Sequence, residues 1–444
     1  MPIPASSPVI ESSLSTAAQP ATSITKVALA SFVGTAIEWY DFFLYGTFAA
    51  LVFSKLFFPS LDPVAGTLAS FATFAVGFAA RPVGGIVFGH YGDRIGRKAM
   101  LSLTLAIMGL ATFAIGLLPT YATIGVGAPV LLVGLRLLQG FGLGGEWGGA
   151  VLMAVEHAPA HRRGYYAALP QVGAAAGLLV ANGVFTLVRG MPEDQFLRWG
   201  WRIPFLVSIV LVGVGTYIRV RLAESPSFAR LKADHAEVRL PIFAVLRHHK
   251  KSVLLAMGAR LAENALFYIY TVTILTYVTA RVSVPRQTAL TGVLIAAAID
   301  LFAIPLFGAL SDRVGRRPVY LFGAAFSAAF VWPFFLLVDT GQPVLIWLAI
   351  VIGICVGHAA MYGPQAAFFS ELFAAKVRYT GASLGYQLAS ILGGGMAPLI
   401  AAGLFAWAGG AWWAVAAYMV GCAAVTLTAV FLASETGKRQ LDQT

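Results

Sequence analysis

Charge is scarce in this chain: Asp, Glu, Lys and Arg together make up 11% of its 444 residues. So few ionisable groups cannot cover a soluble protein of this length with hydrated surface. Cysteine is scarcer. Cys355 and Cys422 both lie in apolar stretches, which excludes a disulfide scaffold, offers no metal-ligand spacing and leaves them as packing residues. A zinc motif, a serine nucleophile elbow and a cofactor box are also missing, so nothing points to an enzyme, a metal or a cofactor. What fills the chain is apolar: 59% of its residues are hydrophobic, and its mean hydropathy is +0.80.

Twelve apolar runs are long enough to cross a bilayer as helices: 27–53, 66–90, 99–118, 124–155, 164–188, 203–220, 252–280, 288–310, 318–338, 343–370, 379–405 and 411–433. A run of about 20 apolar residues spans the hydrocarbon, and helix formation satisfies its backbone. Residues 1–25, rich in Ser, Thr, Ala and Pro, read as a disordered tail and not a signal peptide. The net charge of +11 would fit nucleic acid, but its distribution argues for topology. With the N-terminus inside, 21 of the 30 Lys and Arg fall on the cytoplasmic side, which places both termini in the cytoplasm.

The chain repeats itself at half its length. Gly89-His-Tyr-Gly-Asp93-Arg94-Ile-Gly-Arg97-Lys98 returns as Gly308-Ala-Leu-Ser-Asp312-Arg313-Val-Gly-Arg316-Arg317. Glu156 and Arg163 after run four correspond to Glu371 and Arg378 after run ten. Two similar halves imply two pseudo-symmetric six-helix bundles enclosing one site, the plan of a transporter. The boundaries are 26–220 and 252–436, with a linker over 221–251 expected to hold one short amphipathic helix, and a tail over 437–444.

Ionisable residues inside spans are functional candidates, because a charge at mid-bilayer is expensive. They are Glu38 and Asp41 in span one, Arg81 in span two, Arg136 and Glu146 in span four, Arg260 and Glu263 in span seven, and Asp300 in span eight. Three arginines against five carboxyls leave an excess of negative charge, so at least one carboxyl is expected to carry a proton during a cycle. Helical spacing groups Glu38, Asp41 and Tyr45; Arg136, Gln139 and Glu146; Arg260, Glu263, Asn264, Phe267 and Thr271; and His358, Tyr362 and Gln365. Spans one, four, seven and ten are therefore expected to line a central cavity. Arg81 and Asp300 are read as partners across the halves or as substrate contacts, and Glu146 as a partner of Arg97. The glycine-rich run Gly140–Gly149 has no preceding strand and no following Lys-Ser/Thr, so it reads as a close helix contact, not a phosphate loop. Gly393-Gly-Gly395 and Pro398 would let span eleven bend.

These residues resemble the major facilitator superfamily, whose best-known motif is the copied loop. Gly34-Thr-Ala-Ile-Glu38-Trp-Tyr-Asp41, Arg81-Pro-Val-Gly-Gly, Arg136-Leu-Leu-Gln139-Gly, Gly144-Gly-Glu146-Trp-Gly-Gly and Trp199-Gly-Trp-Arg202-Ile-Pro204 resemble its metabolite:proton symporter family. The resemblance implies a bacterial inner-membrane protein, a monomer set in lipid, that takes up a small organic acid with protons. Asp41, Glu38 and Arg136 would couple the proton. Arg136, Arg260, Arg81, Tyr45, Gln139, Asn264, Tyr362 and Gln365 would hold the substrate. Asp93, Arg94, Arg97, Glu146, Asp300, Asp312, Arg313 and Arg316 would gate. A zwitterion symporter of the proline/betaine kind or an uncoupled facilitator would share the fold.

Overall fold

The computed structural model describes residues 23–233, 240–439 and 441. Its long helices, numbered α1–α12, are Ile24–Phe48, Pro63–Gly92, Arg97–Leu117, Gly127–His157, Arg163–Arg189, Arg202–Val220, Lys250–Ala280, Arg286–Val314, Arg316–Asp339, Pro343–Glu371, Ala375–Trp407 and Trp413–Leu432. All but α2 meet a strict length-and-hydropathy test for spanning among the described residues, and α2, at 30 residues, is about 45 Å long. The first 22 residues of the expected tail lie outside the described residues.

The same packing recurs in each half. α1 lies on α5, α2 on α4 and α3 on α6; correspondingly α7 lies on α11, α8 on α10 and α9 on α12. The halves meet along α5 with α8 and α2 with α11. The glycines of α4 explain one of the closest crossings: a Cβ at Gly140 or Gly144 would collide with the backbone of α2. Three spans are broken by π-helical turns near their middles, Ile269–Thr273 in α7, Gly353–His358 in α10 and Ile391–Gly395 in α11. The last falls on the glycine triplet, where the chain passes Asn264, Tyr268 and Phe78.

One expectation changes, and one feature is added. The linker holds two short helices, Pro226–Ala233 and Pro241–His248, because Pro226 and Pro241 each start a new helix. The stretch after α12 is docked rather than free. Arg378 donates to the Leu441 carbonyl (2.8 Å) and Arg163 to the Arg439 carbonyl (2.8 Å).

Candidate functional site

In the N-terminal half, Asp41 on α1 is 1% exposed and accepts a hydrogen bond from Thr112 Oγ1 on α3 at 2.8 Å. Gln139 on α4 donates to the same hydroxyl at 2.6 Å and accepts from Arg136. Thr112 has one proton and two acceptors in reach, Asp41 and the Met108 carbonyl at 3.0 Å. If Asp41 is ionised, Thr112 donates to it. If Asp41 is protonated, its own O–H donates to Thr112, which turns its proton to Met108. The bonds through Asp41 Oδ2 are kept in both states and the chain ends on Arg136, while Asp41 Oδ1 has no hydrogen-bond partner. That guanidinium lies over the Tyr45 ring (4.1 Å) and needs Gly77, where a Cβ would come 2.7 Å from its Nε. Tyr45 itself bonds Thr73 at 2.6 Å.

Glu38 lies one turn before Asp41, buried, with Oε2 unpartnered. Arg81 on α2 is held over the rings of Phe42 (4.7 Å) and Phe78 (4.3 Å). Arg81 has no hydrogen bond or ion pair to any of the described residues. Deeper in the bundle, Glu146 is matched by Arg219 at the end of α6, with Thr104 donating to it at 2.8 Å.

In the C-terminal half the charged groups of the α7 stripe are committed, whereas Asn264 Oδ1 is buried without a hydrogen-bond partner. Arg260 donates to Glu263 and Gln365, both at 2.9 Å, and lies 3.2 Å over the Tyr386 ring. Gln365 donates to Glu263 at 3.0 Å and to Tyr320 at 2.8 Å. Glu263 Oε1 lies 3.1 Å from His358 Nε2, and His358 Nδ1 lies 3.8 Å from Asp300. Tyr386 stacks on Trp147 of the other half at 3.6 Å, and Trp147 donates to Gln171, which donates to the Tyr362 carbonyl. Beside this network lies a partly open cavity. It is lined by α1, α5, α7, α8 and α10, with Trp39, Glu263, Asn264, Tyr268, Asp300 and His358 among its walls.

The copied loops close one face, here the loop face. Asp93 accepts from the backbone of Tyr379 (3.3 Å) and Thr380 (2.9 Å), at the N-terminal turn of Arg378–Ser390. Asp312 accepts from Gly164 (2.7 Å) and Tyr165 (2.9 Å) at the start of α5. Each carboxylate thus sits where the opposite half offers free N–H groups and the positive end of a helix. Arg97 pairs with Asp93 (3.3 Å) and Glu156 (3.5 Å), Arg316 with Asp312 (2.7 Å) and Glu371 (3.3 Å), and Arg378 crosses to Glu156 at 3.0 Å. Gly96 and Gly315, with φ of 131° and 109°, make the turns that only glycine takes easily. The helices after them are capped by Glu224 (to Arg97 N, 3.1 Å) and Glu435 (to Arg316 N, 2.9 Å). Partial burial pushes the Glu435 carboxyl up, but the backbone amides of Gly437, Arg316, Arg317 and Thr436 together hold it below the ordinary glutamate range.

Closure of this face depends on backbone meeting backbone. A Cβ at Gly308 would lie 2.6 Å from both the Gly164 carbonyl and the Ala168 Cβ. Gly308→Val is therefore expected to bias the protein toward an open loop face, by about 1–3 kcal/mol or 5–150-fold in population. The check is thiol labelling of Ser383→Cys, a buried position where α11 meets α4 of the other half, with Cys355 and Cys422 replaced by alanine. Labelling no faster with Gly308→Val than without it would refute the expectation.

Several sequence-based placements are corrected. Glu146 pairs with Arg219, not Arg97, because Arg97 is occupied at the loop face; Glu146 is internal to one half and joins no gate. Asp300 faces His358 and the cavity rather than Arg81 or a gate. Arg94 and Arg313 are exposed. Span four does not line the cavity, since its glycines press it against α2; spans five and eight do. Arg136, Gln139 and Tyr45 accordingly lie behind the cavity wall, and Gln365 lies beneath it. Arg260, Asn264 and Tyr362 line it. Sequence reasoning missed Thr112, which carries no signal of its own, and Arg219, which sits at the end of an apolar run. Glu224-Ser and Glu435-Thr, one after span six and one after span twelve, are a third repeated element that could have been found.

Residues 26–240 and 241–444 each match the family described as sugar (and other) transporter. The chain is 44% identical to the shikimate transporter of Escherichia coli over 92% of its own length and 94% of that protein's. It is 44% identical to the inner membrane metabolite transport protein YhjE of the same organism, over 95% and 97%. It is 34% identical to the E. coli proline/betaine transporter over 86% and 78%. Among solved structures it superposes on the major facilitator superfamily proton:xylose symporter XylE, with a TM-score of 0.74 at 16% identity, over 94% of this chain and 98% of that one.

Proposed function

The chain belongs to the sugar (and other) transporter family of the major facilitator superfamily, and from that premise we propose that it takes up a small carboxylate together with protons across the bacterial inner membrane. The distribution of Lys and Arg assigns the loop face to the cytoplasm, with both termini there. The arrangement described is then closed toward the cytoplasm, and the halves rock about the central site in turn.

The observation that carries the reading is the charge balance behind the cavity. Apart from the Glu146–Arg219 pair and the network at the loop face, the N-terminal half buries Arg81 and Arg136 against Glu38 and Asp41. That set is neutral when empty. A monocarboxylate adds one negative charge, and burying it uncompensated costs several kcal/mol. A proton on Asp41 restores balance, and the Thr112–Gln139–Arg136 chain accepts that proton without losing a hydrogen bond. Arg81 holds the substrate carboxylate, because it is the guanidinium with donors to spare. It stands one aromatic layer from the cavity: Tyr268, a cavity wall, meets Phe78, the ring beneath Arg81, at 6.0 Å. The shikimate transporter's similarity supports a carboxylate of that size.

A second reading is favoured by the walls themselves. Trp39, Phe267 and Tyr268 beside Glu263 and Asp300 would suit a quaternary ammonium. Purified protein in liposomes on a solid-supported electrode, with an internal pH dye, separates the two. Shikimate, quinate, benzoate, α-ketoglutarate and citrate are applied beside proline and betaine at two pH values. Acidification with an acid, stronger at low external pH, is expected. Silence with all acids and a signal with betaine would replace the carboxylate reading by the zwitterion one.

A further inference from the structure

Setting aside the loop-face network, four guanidiniums and five carboxyls are buried within the spans among the described residues: Arg219 adds to the three arginines legible in the sequence. Glu146 has Arg219 and Glu263 has Arg260, at 2.9 Å in the latter pair. Arg81 and Arg136 answer Glu38 and Asp41. Asp300 is left over. It is 3% exposed, its Oδ1 has no partner, and the basic group facing it is His358, whose Nδ1 also lacks a hydrogen bond. Both unpartnered atoms belong to residues that line the cavity.

We propose that Asp300 and His358 form a second proton-binding site, in the C-terminal half and separate from Asp41. The proposal rests on the proton-symport reading above. The tautomer follows from Glu263, which is ionised against Arg260 and so can only accept. His358 Nε2 carries the hydrogen toward Glu263, and Nδ1 is bare toward Asp300. One proton arriving from the cavity neutralises the pair as a unit, on Asp300 Oδ2 or on Nδ1, where it makes an imidazolium that donates to Glu263 and faces the Asp300 carboxylate 3.8 Å away. The other ionisable groups near the pair are Arg260 on α7 and Cys355 and Tyr362 on α10. Phe267 covers the imidazole at 4.9 Å, and the wall from α5 is Ala174, Ala175 and Leu178. Nothing else nearby can supply the missing positive charge. The bound proton also removes the negative charge that an anionic substrate would meet on entering the cavity.

Stoichiometry is the consequence. A monoanion moving with one proton carries no net charge, whereas with two it carries one positive charge inward and is driven by membrane potential. With shikimate as probe, the wild-type protein is expected to give both internal acidification and an electrode current. Asp300→Asn and His358→Gln should each keep the acidification and lose the current, a fall from two protons per shikimate to one. A merely structural or substrate-binding role would change KM or yield without changing that ratio. Acidification without current in the wild type, or unchanged current in both variants, overturns the proposal. Absence of acidification with any solute would instead sink the symport reading. A second arm is independent of transport: infrared pH-difference spectra of purified Asp41→Asn protein. A titrating carboxyl or imidazole signal that Asp300→Asn and His358→Gln each remove is the expected result. No such signal, or one both variants retain, overturns the second site.

Discussion

Asp41→Asn is expected to abolish net uptake while leaving exchange of internal for external substrate intact. Loaded with substrate, the variant resembles the protonated wild type, since asparagine is neutral and its amide can still bond Thr112. The halves can therefore carry substrate in both directions. The empty protein is different. In the wild type, Asp41 returns ionised and balances the buried guanidiniums; in the variant that negative charge is missing, and an uncompensated buried charge costs several kcal/mol. The empty return step slows by orders of magnitude, and net uptake stops however many other protons the protein binds. A single coupled proton is worth about 2.3 kcal/mol per 100 mV, or roughly 50-fold accumulation. Uptake into liposomes with an imposed proton gradient should fall from that level to equilibration, while counterflow with preloaded shikimate continues. Retained accumulation would remove Asp41 from the coupling mechanism. Loss of counterflow as well would show that the substitution breaks the loaded carrier.

Much of the fold is legible because membrane helices are declared by length and hydropathy alone, and the two halves repeat. The copied loops mark where each half turns, since Gly96 and Gly315 hold backbone angles that tie the motif to one geometry. The linker was less legible: two prolines decide that it folds as two helices, and a charge-rich composition does not show where they act. The docked C-terminal stretch was invisible, because Arg163 and Arg378 bind its backbone carbonyls, which every residue type carries.

The candidate site was legible as a set of residues and not as a set of partners. Helical spacing puts Arg260, Glu263 and Asn264 on one face and His358, Tyr362 and Gln365 on another, and the two faces meet through Glu263. Spacing says nothing about which helix stands in front. Arg136 and Gln139 lie behind the cavity wall because glycines let α4 press against α2, a packing fact that no single helix pattern contains. Arg219 shows the same limit. It counts as a basic residue at the membrane face until Gly34 is seen to leave room for its guanidinium beside Glu146.

Arg81→Ala is expected to weaken carboxylate binding about 100-fold and leave the fold intact, and the contrast with Arg260 explains why. Arg260 gives hydrogen bonds to Glu263 and Gln365 and lies over Tyr386. Binding substrate there would break bonds already made, and removing the guanidinium would orphan Glu263 at about 3–5 kcal/mol. Arg81 makes no such bonds, and when it is removed Glu38, whose Oε2 is unpartnered, can take up a proton and keep the buried set neutral. Its plane is fixed by Phe42 and Phe78, so its donors are oriented without being used. A hydrogen bond to a charged group contributes about 1.5–3 kcal/mol, and loss of a bidentate pair fits the 100-fold figure. Lysine keeps the charge but not the fork, so Arg81→Lys should fall between, near tenfold. The readout is shikimate titration against tryptophan fluorescence in detergent, with Trp39 on the cavity wall as the expected reporter, alongside yield and Tm. Arg260→Ala should lower yield and Tm, whereas Arg81→Ala should change affinity alone. Unaltered affinity in Arg81→Ala, at normal yield, would place the substrate carboxylate elsewhere and turn attention to the imidazole of His358, which lines the cavity and can become a cation.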